Sequence, residues 1–178
     1  IDAIGKALIV SSDHEPHWGD SARQLVVCLI AHICTTRGEI PNLPRVRQII
    51  GLPRDEFTLY MMKARENPLP LVRDSAGMFC NATSNEVGSF INAAAEQLNF
   101  LLVPSIAHFL SKSDFDFSAL RRKKTTFYLI IPPRELDSYA RLVRMIVQAF
   151  FNEMSRAPSG NARETVLTIL DEQAKLGY

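Results

Sequence analysis

The sequence has 178 residues, 47% of them hydrophobic and 22% charged, enough for one domain with a real core or for one domain plus part of another. A net charge of +1 supplies no global field toward nucleic acid or membrane. The three cysteines, Cys28, Cys34 and Cys80, have no C-x-x-C spacing, which speaks against a disulfide framework or a zinc ribbon and for reduced thiols. The longest apolar stretch, at 25–34, is interrupted by His32 and covers roughly half of the ~20 residues that span a bilayer. The chain begins with Ile1 and has no charged leader before an apolar core, so any membrane anchor is expected outside these residues.

In chain order, Ile4, Ala7 and Leu8 share helical spacing and predict a helix over 2–10. Residues 11–17 (SSDHEPH) read as a solvated loop. Asp13, His14, Glu15 and His17 resemble a ligand cluster, but Pro16 prevents a regular helical display of the histidines. A helix opens at Trp18, with Gly19 or Asp20 near its cap, and is apolar on nearly every side from Ala22 to Ile33, which marks a central core helix. Cys28 and His32, four apart, read as a packed thiol and a hydrogen-bonded histidine. The GDSAR run at 19–23 lacks the final glycine and the preceding strand of a nucleophile elbow, so a hydrolase is rejected.

A turn at 38–42 (GEIPN) leads to a short helix containing Pro44, Val46, Ile49 and Ile50, ended by Gly51. Pro53 starts another, with Phe57, Tyr60, Met61 and Ala64 facing inward, and the NPLP run at 67–70 breaks it. Residues 71–81 give a weaker helical signal. Thr83 and Glu86 form a capping box that launches an amphipathic helix carrying Val87, Phe90, Ile91, Ala94, Leu98 and Leu101. Pro104 ends it and opens a short helix to Leu110. Phe115 and Phe117 point the same way from a turn. Arg121, Arg122, Lys123 and Lys124 can touch phosphate, but a charged turn between buried elements is the commoner explanation of such a run.

The last third reads as strand, helix, strand. Residues 125–131 (TTFYLII) form a candidate buried strand, stopped by Pro132 and Pro133. A helix capped by Asp137 or Ser138 places Tyr139, Leu142, Val143, Ile146, Phe150 and Met154 on one face. After the break at Pro158, Ser159 and Gly160, Val166, Leu167, Ile169 and Leu170 make a second short apolar run that ends in Asp171 and Glu172. A βαβ unit would make the two strands parallel with a right-handed crossover. An acid pair at the end of such a strand has the form of a Walker B element, Asp171 holding magnesium and Glu172 polarising the attacking water. The partner motif G-x-x-x-x-G-K-[ST] occurs nowhere in the sequence. Gly5-Lys6 lacks both the upstream glycine and the following hydroxyl.

Four stretches together resemble one family: HWGDSARQLVVCLIAHI, EVGSFINAAAEQLNFLLVPSIAHFLSKSDFDFSAL, TTFYLIIPPRELDSYARLVRMIV and VLTILDEQAKLG. Their order and spacing are similar to the type IV secretion coupling proteins, the TraG/TraD-like conjugation ATPases, over nearly the whole chain. Gln173 stands where that family often has an apolar residue. The resemblance implies a mainly α chain: an all-α domain at 18–112, inserted into a RecA-like α/β motor domain. Residues 1–17 would come from that motor, and 113–178 would be a βαβ segment of it ending in the Walker B acids Asp171 and Glu172. It implies ATP and magnesium as cofactors of the full-length protein, with Asp171 at the metal, while these 178 residues, without the phosphate loop, are expected to be catalytically inactive. It further implies a homo-hexamer at the cytoplasmic face of the bacterial inner membrane, working with secretion-channel components and recruiting DNA–relaxase complexes or effector proteins. The alternative is a DNA-binding helical domain of a DNA-translocating motor. On the recognition reading, the partner-binding surface is expected on the exposed side of the short, proline-punctuated helices between Gly38 and Asn81.

Overall fold

A computed structural model describes residues 1–10, 16–156 and 166–169, and it is mainly α, with no strand among the described residues. The helices are α1 (Asp2–Leu8), α2 (Pro16–Thr35), α3 (Leu43–Ile50), α4 (Arg54–Ala64), α5 (Pro70–Asn81), α6 (Ser84–Gln97), α7 (Pro104–Phe109) and α8 (Leu136–Met154). Short 3-10 turns occupy Asn99–Leu102, Phe117–Arg121 and Pro133–Glu135. The chain divides into two compact units, Ile1–Lys112 and Ser113–Tyr178.

The first unit is built around α2, which packs against α1, α3, α5 and α6. Ala22, Leu25, Val26, Cys28, Leu29 and Ala31 are completely buried, as expected of a helix that is apolar all round. Leu25, Val26 and Leu29 each contribute about 1.5–3 kcal/mol by leaving water. The helix begins at Pro16, where a missing backbone N–H costs nothing. Asp20 therefore lies within the helix, not at its cap, and pairs with Arg23 at 2.9 Å. Helix α1 approaches α2 closely because Gly5 has no side chain: a methyl there would run into Val27. Leu8 and Ile9 are buried behind it. The Gln97 side chain then clamps the end of this segment, accepting from the Val10 amide at 2.7 Å and donating to the Val10 carbonyl at 3.0 Å.

Helices α4 and α5 pack against each other, and Phe57, Met61, Ala64, Val72, Ala76 and Phe79 on them are buried. Residues 71–81, weak as a pattern, are a complete helix started by Pro70. The capping box is formed, with Thr83 Oγ1 accepting from the Glu86 amide at 3.3 Å and Glu86 Oε2 accepting from the Thr83 amide at 2.9 Å. Helix α6 stops at Gln97, and the chain tightens into a 3-10 turn. Leu98 and Leu101 nevertheless stay in the core.

The second unit centres on α8, whose Leu142, Val143 and Met145 are buried. Phe115, Phe117, Phe127 and Phe150 form an aromatic cluster with ring centroids 5.1–5.8 Å apart for the touching pairs. Arg121 donates to the carbonyls of Met154 and Arg156, occupying orphan acceptors at the end of α8. Arg122 pairs with Asp116 at 3.0 Å. These two members of the basic run thus act as a charged turn.

The two strands expected at 125–131 and 165–170 do not appear among the described residues. Residues 124–132 and 166–169 carry no helix and no ladder. A buried parallel strand needs neighbours on both sides to receive its N–H and C=O groups, and no described segment supplies them. Tyr128, Ile130, Leu167 and Ile169 are 78–87% exposed as a result.

Candidate functional site

Of the residues singled out for chemistry, Asp171 and Glu172 lie outside the described residues, as do Asp13, His14 and Glu15. The apolar lead-in at 166–169 is described and carries neither helix nor strand. Cys28 and His32 are both placed, and they do not form a pair. The Cys28 thiol donates to the Val72 carbonyl at 3.7 Å, and burial pushes its pKa up to about 12, so it is an inert packed thiol. Among the described residues no group of His, Cys, Asp and Glu has the arrangement of a metal site.

His32 belongs instead to a polar network where the end of α2 meets the turn between α4 and α5. Asn67 Nδ2 lies 3.2 Å from His32 Nδ1, 2.9 Å from Thr35 Oγ1 and 3.3 Å from Thr36 Oγ1. Its Oδ1 accepts from the Leu69 amide at 2.9 Å. Asn67 and His32 are only 6% and 5% exposed, so these bonds replace water that neither side chain can reach. With Asn67 donating, His32 Nδ1 is the acceptor and the imidazole is neutral. Burial lowers the His32 pKa, against a smaller opposing pull from Glu39.

The network continues through Glu39. Gly38, at φ +91°, supplies the left-handed turn that brings this carboxylate back over α3 and α4. Arg45 Nε donates to Glu39 Oε2 at 2.8 Å and Arg45 Nη2 to Oε1 at 3.3 Å, a bidentate pair. The Tyr60 hydroxyl donates to Glu39 Oε1 at 3.1 Å. The Arg45 hydrogen bond, followed by that from Tyr60, holds the Glu39 pKa below its ordinary value, despite burial. Burial raises the Tyr60 pKa, so the phenol stays protonated and donates. The His32 and Tyr60 rings meet at 86° with centroids 5.3 Å apart.

These groups form the floor of an open cleft of about 700 Å³, lined also by Arg37, Lys63, Glu66 and Pro68. A smaller depression of about 220 Å³ lies between α4 and α5 near Arg54 and Cys80. The cleft falls largely within the proline-punctuated region that the sequence marks for recognition. The network itself was not visible there, because Asn67 is 31–35 residues from Thr36, Thr35 and His32. Its only local signal was the Asn-Pro pair that reads as a helix breaker.

The comparisons with known proteins agree with one another. The family model described as type IV secretory system conjugative DNA transfer matches residues 3–178. The type IV secretion system-coupling protein VirD4 of Bartonella henselae is 27% identical over 166 residues, covering 91% of this chain and 26% of that protein. The protein VirD4 of Rhizobium radiobacter is 31% identical over 163 residues, 89% of this chain and 23% of its own length. The conjugal transfer protein TraG of the same organism is 26% identical, with 89% and 25% covered. The chain thus spans about a quarter of the length of these relatives. No solved structure matches significantly. With the family's model covering all but the first two residues, the chain belongs to the type IV secretory system conjugative DNA transfer family.

Proposed function

We propose that residues 18–112 are the cargo-recognition domain of a type IV coupling ATPase, and that 113–178 are a βαβ segment of its RecA-like motor. The observation that carries this reading is the contrast within one family match. Helices α1 to α7 close a core of their own, while 124–132 and 166–169 carry neither helix nor ladder and leave large apolar side chains bare. Such segments suit strands completed by other parts of a longer protein. In that protein Asp171 is the residue to hold magnesium and Glu172 the residue to orient the attacking water on bound ATP, since hard carboxylate oxygens suit that cation. The complete protein would act at the cytoplasmic face of the inner membrane as a hexamer, delivering DNA–relaxase complexes or effector proteins to a secretion channel. No described helix is long and apolar enough to cross a membrane.

Direct DNA binding by the helical domain is the weaker alternative. The sequence has a net charge of only +1 with its bases scattered, whereas recognition dominated by phosphate contacts requires a basic face.

Two measurements test the proposal. In the full-length protein, Glu172→Gln retains ATP binding and lowers hydrolysis on the order of a hundredfold, the contribution of a positioned general base. Normal turnover removes the motor assignment. Titration of the chain with purified relaxase or effector, alongside single-stranded DNA, yields protein binding. Binding to DNA alone, weakened steeply by salt, establishes the alternative.

A further inference from the structure

We infer that the cleft between the end of α2, the Gly38 turn and α4 receives an acidic peptide segment of the cargo protein, with Arg37 and Lys63 as its carboxylate-binding groups. This rests on the recognition reading above and assigns it a place and a chemistry. The argument begins with which polar groups are already committed. Asn67, His32, Thr35 and Thr36 satisfy one another. Arg45 and Tyr60 are committed to Glu39. The floor is therefore fixed and its half-buried carboxylate is neutralised. Arg37 and Lys63 line the same cleft, are exposed, and have no ion-pair partner among the described residues. Once Arg45 and Glu39 are set aside as a pair, two cations face one remaining acid, Glu66.

Both remaining cations are donors without acceptor capacity, so the ligand must bring anionic acceptors. Arg37 offers a planar fork that matches a carboxylate on two sides. Pro68, which also lines the cleft, offers apolar contact there. A nucleic-acid strand suits the cleft less well. It requires a row of cations along the backbone and an aromatic face for stacking. The one aromatic lining the cleft, Tyr60, is already covered by the His32 ring and by the Arg45 guanidinium, 5.9 Å from the ring centroid.

The test uses the whole chain and a fluorescein-labelled dodecapeptide of repeating Glu-Leu-Gly. The same peptide with Gln for Glu, and dodecathymidylate, are run in parallel. The Glu peptide binds and the Gln peptide does not. Arg37→Gln and Lys63→Gln each weaken binding about three- to tenfold, the range for an exposed charge-assisted contact. The charge reversal Arg37→Glu with Lys63→Glu abolishes it. Arg73→Gln, on the exposed side of α5 beside Asp74, leaves it unchanged, and circular dichroism shows every variant folded. Equal binding of the Gln peptide, or undiminished binding by the charge-reversal variant, overturns the inference. Dodecathymidylate that outcompetes the Glu peptide through Arg37 and Lys63 also overturns it and makes the cleft a nucleic-acid site. If the charge-reversal variant still binds relaxase or effector, the cleft is wrong and the recognition role survives. If the unaltered chain binds neither, the recognition role itself fails.

Discussion

The two units of this chain solve the burial problem in opposite ways. In Ile1–Lys112 the apolar residues of α2 are covered on all sides by neighbouring helices, and Leu25, Val26 and Leu29 see no solvent. In Ser113–Tyr178 one face of α8 is buried and the aromatic cluster is only partly covered, while Tyr128, Ile130, Leu167 and Ile169 stand 78–87% exposed. Local and mid-range helix contacts suffice for the first unit. The second contains segments with strand composition, whose backbone groups can be satisfied only by partners beyond themselves. Composition does not reveal this difference, since both regions are rich in apolar residues. It appears only when each residue is asked what covers it.

Four substitutions or conditions sharpen that comparison. Leu29→Ala removes a fully buried side chain from the central helix, and urea denaturation should show a loss of about 3–4 kcal/mol, with a cavity left behind. Asn67→Ala removes a donor to the buried His32 Nδ1 and the acceptor of the Leu69 amide. About 2 kcal/mol should be lost in the same assay. Acid acts on the same network. The His32 pKa lies below its ordinary value of 6.5 in the folded state, so the unfolded chain takes up the proton first. Stability due to this group is complete above pH 6.5 and falls as the pH is lowered below it. Repeating the denaturation in His32→Gln should flatten that slope. Ile130→Ser lies on a bare face of an extended segment and should change the stability of the chain by no more than about 0.5 kcal/mol. In the full-length protein the same change should be clearly destabilising. Equal tolerance in both settings would mean that the segment is a loop.

Much of the helical unit was legible because it rests on local signals. The capping box at Thr83 and Glu86 and the stripe Val87, Ala94, Leu98, Leu101 name both the start and the buried face of α6. The stripe survives even though the last turn changes to 3-10 geometry, since burial depends on direction more than on helix type. Helix α5 was faint because Arg73, Asp74, Ser75 and Gly77 dilute its pattern. Its start lies instead in Pro70, which also reads as a breaker of α4. The cleft was not legible at all as a network, since its members come from α2, the Gly38 turn, α3, α4 and the Asn67 turn. The strands expected at 125–131 and 165–170 were read from composition, which reports a preference for burial between neighbours and says nothing of whether the neighbours are present.

Hydrogen exchange compared between this chain and the full-length protein tests the contrast most directly. The account predicts that α2 amides are equally protected in both. Amides at 125–131 and 166–169 should exchange at nearly unprotected rates in the chain alone and become strongly protected in the full-length protein. Continued rapid exchange of those amides in the full-length protein would contradict the account, because the extended segments would then have no sheet to join.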